Sequence, residues 1–230
     1  MAVSEGETAV RKLTRSDRLI LERCEPIVRG IAATFGPYCE VVLHALDDFD
    51  HSIVAIENSG VTGRSIGAPM TDFAVGLVEN RAWDDHGVVA NYTSRTDDGR
   101  VLKCTTIVIR NENEEPIGLL CINIDTSAPV ADFMRQLFAV SSQPDGQPIE
   151  EHYPTTARDL IEISLRQAMD QVNTERGLSP VERNRAIVQQ LHQRGVFHVK
   201  NAVDIVAEDL GISRYTVYNY IRDVKARTEQ

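Results

Sequence analysis

The sequence predicts an α+β chain in two parts, a five-stranded antiparallel sheet with covering helices followed by an all-α unit. Three observations carry this. Residues 39–125 alternate short β-rich runs with turn residues, and residues 141–156 hold three prolines and no aliphatic cluster. Beyond residue 156 the apolar positions recur at helical spacing. With 230 residues, 42% of them hydrophobic, the chain can bury one medium and one small core.

Each element follows from local sequence. Residues 1–15 read as a loose polar tail. Ser16 and Asp17 open a helix whose apolar side carries Leu19, Ile20, Cys24, Ile27, Ile31 and Ala32, and Gly36-Pro37 ends it. CEVVLHAL (39–46) and HSIVAIEN (51–58) flank the acidic turn DDFD and form a hairpin. A Gly-, Ser- and Thr-rich stretch leads into a helix from Thr71 to Asn80. VVANYTSR (88–95), RVLKCTTIVIR (100–110) and IGLLCINID (117–125) complete the sheet, with Asp98-Gly99 and NENEEP as turns. The last of these strands is apolar on both alternating faces, which places it at the sheet centre. The helices are expected to cover one sheet face. A helix over 128–140 closes the first domain, residues 16–140, and 141–156 is a linker.

Charge separates the two parts. Residues 1–156 carry 13 Lys/Arg against 24 Asp/Glu, whereas residues 157–230 carry 11 against 10. Phosphates repel the front part, which excludes it as a sequence-blind nucleic-acid binder. The four cysteines, Cys24, Cys39, Cys104 and Cys121, form neither a CxxC pair nor a zinc spacing and read as reduced thiols. The polar N-terminus lacks an apolar signal core, and no apolar run approaches a membrane span. A soluble cytoplasmic protein with no membrane partner is expected. GxGxxG, P-loop, HExxH and GxSxG patterns are absent, and no cluster supplies nucleophile, base and orienter together. No catalytic residue, metal or cofactor is assigned.

The back part is more specific. ARDLIEISLRQAMDQV places Leu160, Ile161, Leu165, Ala168, Met169 and Val172 on one side, a self-complementary stripe suited to a connecting and dimerisation helix over 157–178. Residues 179–230 then form the reader. Ser179-Pro180-Val181-Glu182 is a capped helix start, and Ile187, Val188 and Leu191 are its buried side up to Gly195. A second helix begins after Asn201, with Asp204 as a reciprocal cap and Val203, Val206, Ala207 and Leu210 facing inward. Gly211 turns the chain and Ser213 caps a third helix, the spacing of a helix-turn-helix. On that helix Val217, Tyr220, Ile221 and Val224 form the core side. Tyr215, Asn219 and Arg222 lie opposite, flanked by Arg214, Tyr218 and Lys225, with Thr216 in the first turn. Asn can pair with adenine and Arg with guanine in the major groove, and a capped helix start can meet a phosphate. Double-stranded DNA is the expected partner, bound by a homodimer across two half-sites.

HSIVAIENSGVTGRSIGAPMTD (51–72) and GVFHVKNAVDIVAEDLGISRYTVYNYIRDVK (195–225) resemble the bacterial regulators that join a YheO-like PAS domain to a C-terminal helix-turn-helix. The resemblance covers most of residues 16–227. It implies a PAS fold for residues 16–140 and transcriptional control as the output.

A PAS-like sheet implies a small-molecule site between sheet and helices. Asn58, Thr62, Arg64 and Thr71 are candidate polar contacts, with Arg64 first because a guanidinium grips a carboxylate bidentately. Asn123, a polar residue among apolar neighbours on a strand, is a further candidate. A metal held by His44, His51, Asp47, Asp48 and Asp50 is the less favoured reading of a solvated acidic turn. Cys104 and Cys121 either face each other as a redox pair or serve as small buried hydrophobes. The expectation is a transcriptional repressor that senses a small metabolite, such as an amino acid. The alternatives are a ligand-free dimerisation scaffold and a small-molecule enzyme.

Overall fold

Strands that are apolar on both faces need a cover on each, and this decides the architecture of the front unit. The computed structural model describes residues 12–139, 151–174 and 177–228, with side chains of the last helix described through Val224. The chain divides into two compact units, residues 1–141 and 142–230.

In the first unit α1 (Arg15–Phe35) precedes β1 (Cys39–Ala45) and β2 (Ile53–Glu57), and α2 (Asp72–Asn80) leads to β3 (Val88–Arg95), β4 (Val101–Arg110) and β5 (Pro116–Asp125). A short helix, α3 (Val130–Leu137), follows. The strands lie in the order β2-β1-β5-β4-β3, every pair antiparallel. Val41, Leu43 and Leu120 face α1 through Leu21, Val28 and Ala32. Val42, Leu119 and Cys121 face the opposite way, toward Met70 and the α2 residue Ala74. The helices therefore cover both sheet faces rather than one. β1 is buried along its whole length, so its two alternating faces each require a partner.

Helix α1 corrects the sequence reading in a second way. Its cap is Thr14, in a reciprocal box with Asp17, and its buried arc runs through Asp17, Leu21, Val28 and Ala32. Ile20, Cys24 and Ile31 flank that arc, while Leu19 and Ile27 are 43% and 51% exposed. A polar residue marks the innermost line because Asn111 donates to the Asp17 carboxylate at 3.0 Å from the β4–β5 turn. A buried polar group that is hydrogen-bonded in this way is tolerated, and periodicity alone reads it as outward-facing.

The second unit consists of α4 (Ala157–Asn173), α5 (Pro180–Gln193), a 3-10 turn at Val196–His198, α6 (Ala202–Asp209) and α7 (Arg214–Thr228). Capping boxes start α4 at Thr156–Asp159 and α5 at Ser179–Glu182. One core joins Ile161, Leu165 and Ala168 to Ile187, Val188 and Leu191, and these to Val206, Ala207 and Val217. The α4 stripe expected to meet a second copy is thus buried inside its own unit, although Leu160 stays exposed. Gly211, at φ 64°, makes the turn between α6 and α7, a conformation that a side chain opposes. Asp204 does not cap α6: Asn201 precedes that helix with no side-chain bond, and the Asp204 carboxylate lies 2.7 Å from Arg214 Nε. The expected linker falls mostly outside the described residues, as does most of the N-terminal tail.

Gly118 lies opposite Ala45 on β1, where there is no room for a side chain. A methyl group there would sit 2.6 Å from the His44 carbonyl oxygen and 2.5 Å from Leu21 Cδ2. Gly118→Ala is expected to lower the urea midpoint of unfolding, at a cost of about 1–3 kcal/mol, because backbone cannot move aside as a side-chain tip can.

Candidate functional site

Residue alternation along the antiparallel register lines up Glu40 on β1, Asn123 on β5 and Cys104 on β4, with Tyr92 of β3 beyond. These side chains share the sheet face that is turned toward α2. Between that face and the segment from Thr62 to Ala74 lies a cavity of about 540 Å³. His44, Thr62, Arg64, Thr71, Tyr92 and Asn123 all line it.

Three of the lining residues, Thr62, Arg64 and Asn123, converge on a fully buried carboxylate behind them. Glu40 is 0% exposed. Thr62 donates to its Oε2 through its backbone N at 3.2 Å and through its hydroxyl at 2.6 Å. Asn123 Nδ2 donates to Oε1 at 2.9 Å, and Arg64 Nη2 reaches the same oxygen at 3.4 Å. A buried charge needs this combination of a counter-ion and several donors. Arg64, with its side chain 20% exposed, also donates from Nε to Thr62 Oγ1 at 3.1 Å. Its third nitrogen, Nη1, is buried and has no partner among the described residues.

Four of the five residues named from sequence are therefore brought together here. Thr71 lines the cavity and also caps α2, accepting from Ala74 N at 3.2 Å. Asn58 is not among the cavity residues. It adopts φ 55° and donates from Nδ2 to the Gly36 and Cys39 carbonyls at 2.9 and 2.8 Å, tying the end of α1 to β1. Its position in the sequence beside the glycine-rich loop suggested a ligand, but its donors serve the backbone. Glu40 was missed, although a lone acid in the run CEVVLHAL was a visible signal. Phe73 was missed too. Its ring lies 4.5 Å from that of Tyr92 and forms part of the wall.

Burial sets the chemistry of the lining. The Tyr92 hydroxyl is bonded to Thr106 Oγ1 at 2.9 Å, and desolvation pushes its pKa up to about 12. Desolvation, with the Cys121 thiol beside it, likewise pushes Cys104 up to about 12, and burial raises Cys121. Both thiols stay protonated at neutral pH and have no thiolate character. The register pairs Cys104 with Asn123 and Cys121 with Thr106, so the two cysteines are diagonal neighbours rather than directly opposed. Both are free. At the β1–β2 turn His51 Nδ1 lies 3.2 Å from Asp48, Arg18 engages Asp47, and His44 turns to the cavity, bonded to Ser52 at 2.9 Å. Among the described residues no group of three or more His, Cys, Asp or Glu is arranged to hold a metal ion.

The outer face of α7 carries the other set of candidates. Val217, Tyr220 and Val224 are buried, and Ile221 packs at the edge of the core. Tyr215 and Tyr218 are 72% and 59% exposed. Ser213 caps the helix, its Oγ accepting from Thr216 N at 3.0 Å and pairing with the Thr216 hydroxyl at 2.8 Å. Arg222 Nη2 donates to Asn219 Oδ1 at 3.0 Å, one turn apart on this face. Arg185 of α5 lies over the Tyr220 ring and pairs with Asp223. Lys225 belongs to α7, but its side chain lies outside the described residues. No described helix is long and apolar enough to cross a membrane.

The His44 imidazole gives a pH signature. Burial, and then the nearby Arg64 charge, push its pKa from the usual 6.5 down to about 4. Between those values the unfolded chain binds a proton that the folded chain refuses. Stability is therefore expected to be flat with respect to this group above pH 6.5. It then falls toward pH 4 by at most about 1.4 kcal/mol per pH unit. Urea unfolding at pH 7 and pH 5 should show a smaller loss for His44→Gln than for the native chain.

Comparison with known proteins agrees with this division. Residues 14–139 match a family model described as a YheO-like PAS domain, and residues 164–222 match a helix-turn-helix domain. The uncharacterised protein YheO of Escherichia coli K12 is 37% identical over 217 residues, covering 94% of this chain and 89% of that protein. An uncharacterised Haemophilus influenzae protein is 35% identical over 216 residues, covering 94% of this chain and 96% of its relative. The transcriptional regulator DauR of Pseudomonas aeruginosa is 28% identical over 208 residues, covering 89% and 94%. A two-part chain of this kind, sheet and cavity in front and helix-turn-helix behind, belongs to the YheO-like PAS family and is a transcription regulator.

Proposed function

We propose that this regulator is a cytoplasmic repressor that binds operator DNA as a homodimer and responds to a small metabolite held in the PAS cavity. The metabolite carries a carboxylate or an equivalent acceptor, as an amino acid does. The observation that supports this is Arg64, a residue of the lining of a cavity of about 540 Å³, whose buried Nη1 has no partner among the described residues. An unsatisfied buried donor is costly, and hydrogen bonds to charged groups contribute more than neutral ones. A ligand acceptor at Nη1 would complete the set that Thr62 and Glu40 begin. Arg64 belongs to the segment between β2 and α2, so a ligand there acts directly on the cover of the sheet. To shift regulation the ligand must prefer one of two states, since equal affinity for both changes nothing.

A second reading has an observation of its own. Arg64 already neutralises Glu40, and an ion pair of that kind serves a ligand-free dimerisation scaffold equally well. Thermal unfolding of the full chain against a panel of amino acids and other small carboxylates separates the two. A sensor is expected to gain about 2.7 kcal/mol at a ligand concentration one hundred times its Kd, and Arg64→Gln to lose that gain. A native chain that no compound stabilises, or that binds its operator equally with and without a stabilising compound, would sink the sensing role.

For DNA, the candidate contacts are Ser213, Arg214, Tyr215, Thr216, Tyr218, Asn219, Arg222 and Lys225. The hydrogen bond between Arg222 and Asn219 makes them a coupled pair. Asn219→Ala and Arg222→Ala are each expected to cost about 1–3 kcal/mol on a selected duplex. The double substitution should cost less than the sum, by about 0.5 kcal/mol or more, because each single change already frees the other partner. Fluorescence anisotropy titrations of the four proteins measure this.

A further inference from the structure

The first residue of α7 is held from outside its own helix. Arg214 Nε lies 2.7 Å from Oδ1 of Asp204, in the first turn of α6, so the ion pair spans the turn between the two helices. Both side chains are accessible, at 69% and 42% exposure. The contact is at the Nε side of the guanidinium, and neither Nη1 nor Nη2 has a hydrogen bond among the described residues. Arg222 differs, because its Nη2 is already bonded to Asn219.

An acid in this position needs a reason. A carboxylate beside a phosphate-facing helix is repelled by DNA, and a surface ion pair contributes little to folding. Its geometric effect is larger. A guanidinium paired with a carboxylate on its Nε side leaves a planar fork of two terminal donors, which is the shape that meets O6 and N7 of guanine. Released from Asp204, the same long side chain would swing to the nearest phosphate and lose sequence information.

We propose that Asp204 is a positioning residue for sequence readout: it aims Arg214 so that Nη1 and Nη2 grip one guanine in the major groove at the N-terminal end of α7. This rests on α7 being the groove-reading helix. It adds the base that is read and the acid, outside that helix, that makes the reading selective.

The test uses the full chain. Duplexes are selected from a randomised library, and binding is then measured to the selected duplex, to its single-base variants and to a scrambled duplex. The native chain is expected to require one guanine in each half-site. Asp204→Ala should lose roughly tenfold of the preference for that guanine. Its binding to the scrambled duplex should hold or tighten, since a repelling charge has gone. Asp204→Asn, which keeps an acceptor, should retain most of the preference. Arg214→Lys should lose it while keeping phosphate attraction. The proposal is overturned if Asp204→Ala weakens selected and scrambled duplexes by the same factor, or leaves the base preference unchanged. A native chain that enriches no sequence would overturn the groove-facing reading of α7 as well. One that enriches sequences with no guanine dependent on Arg214 would overturn only the role of Asp204.

Discussion

The buried Glu40 carboxylate is the constraint on which the front unit depends. It lies near the start of β1, a strand buried along its whole length, and is itself 0% exposed. Its charge must be balanced by donors brought from elsewhere in the chain. Thr62 and Arg64 come from the segment after β2, and Asn123 comes from β5. One carboxylate therefore fixes the position of the loop that roofs the cavity. Removing one member of such a buried set leaves another uncompensated, which is why ion networks of this type tend to act as a unit.

The same network shapes what the cavity can recognise. Glu40 and Thr62 engage two of the three guanidinium nitrogens of Arg64, and the third is buried with no partner among the described residues, in a side chain that lines the cavity with His44, Tyr92 and Asn123. The Tyr92 phenol and the Cys104 thiol are held protonated by burial, so they are suited to hydrogen bonding and packing rather than to nucleophilic chemistry.

In the helical unit the governing fact is the shared core of four helices. Val217 turns inward into a core that α4, α5 and α6 build with Leu165, Ile187 and Val206, with α5 and α6 packed against α7 itself. That burial leaves Tyr215, Tyr218 and the Asn219–Arg222 pair on the outside of α7. The acidic balance of the whole chain does not oppose this arrangement, since most of the excess acid belongs to the other unit.

Much of this was legible from the residues themselves. Alternation gave the five strands and placed β5 at the centre, the Ser179 and Ser213 caps started their helices, and Gly211 made the turn, because each of these is decided within a few residues of chain. What only tertiary structure decided were the long-range pairings. Asn58 reads as a ligand contact until the Gly36 and Cys39 carbonyls take its donors, and Asp17 reads as outward until Asn111 meets it. The α4 stripe reads as an interface until α5 and α6 cover it. In each case the sequence determined which groups required a partner, through their polarity and spacing, and the fold determined which partner, because side chains distant along the chain meet only after the backbone has closed.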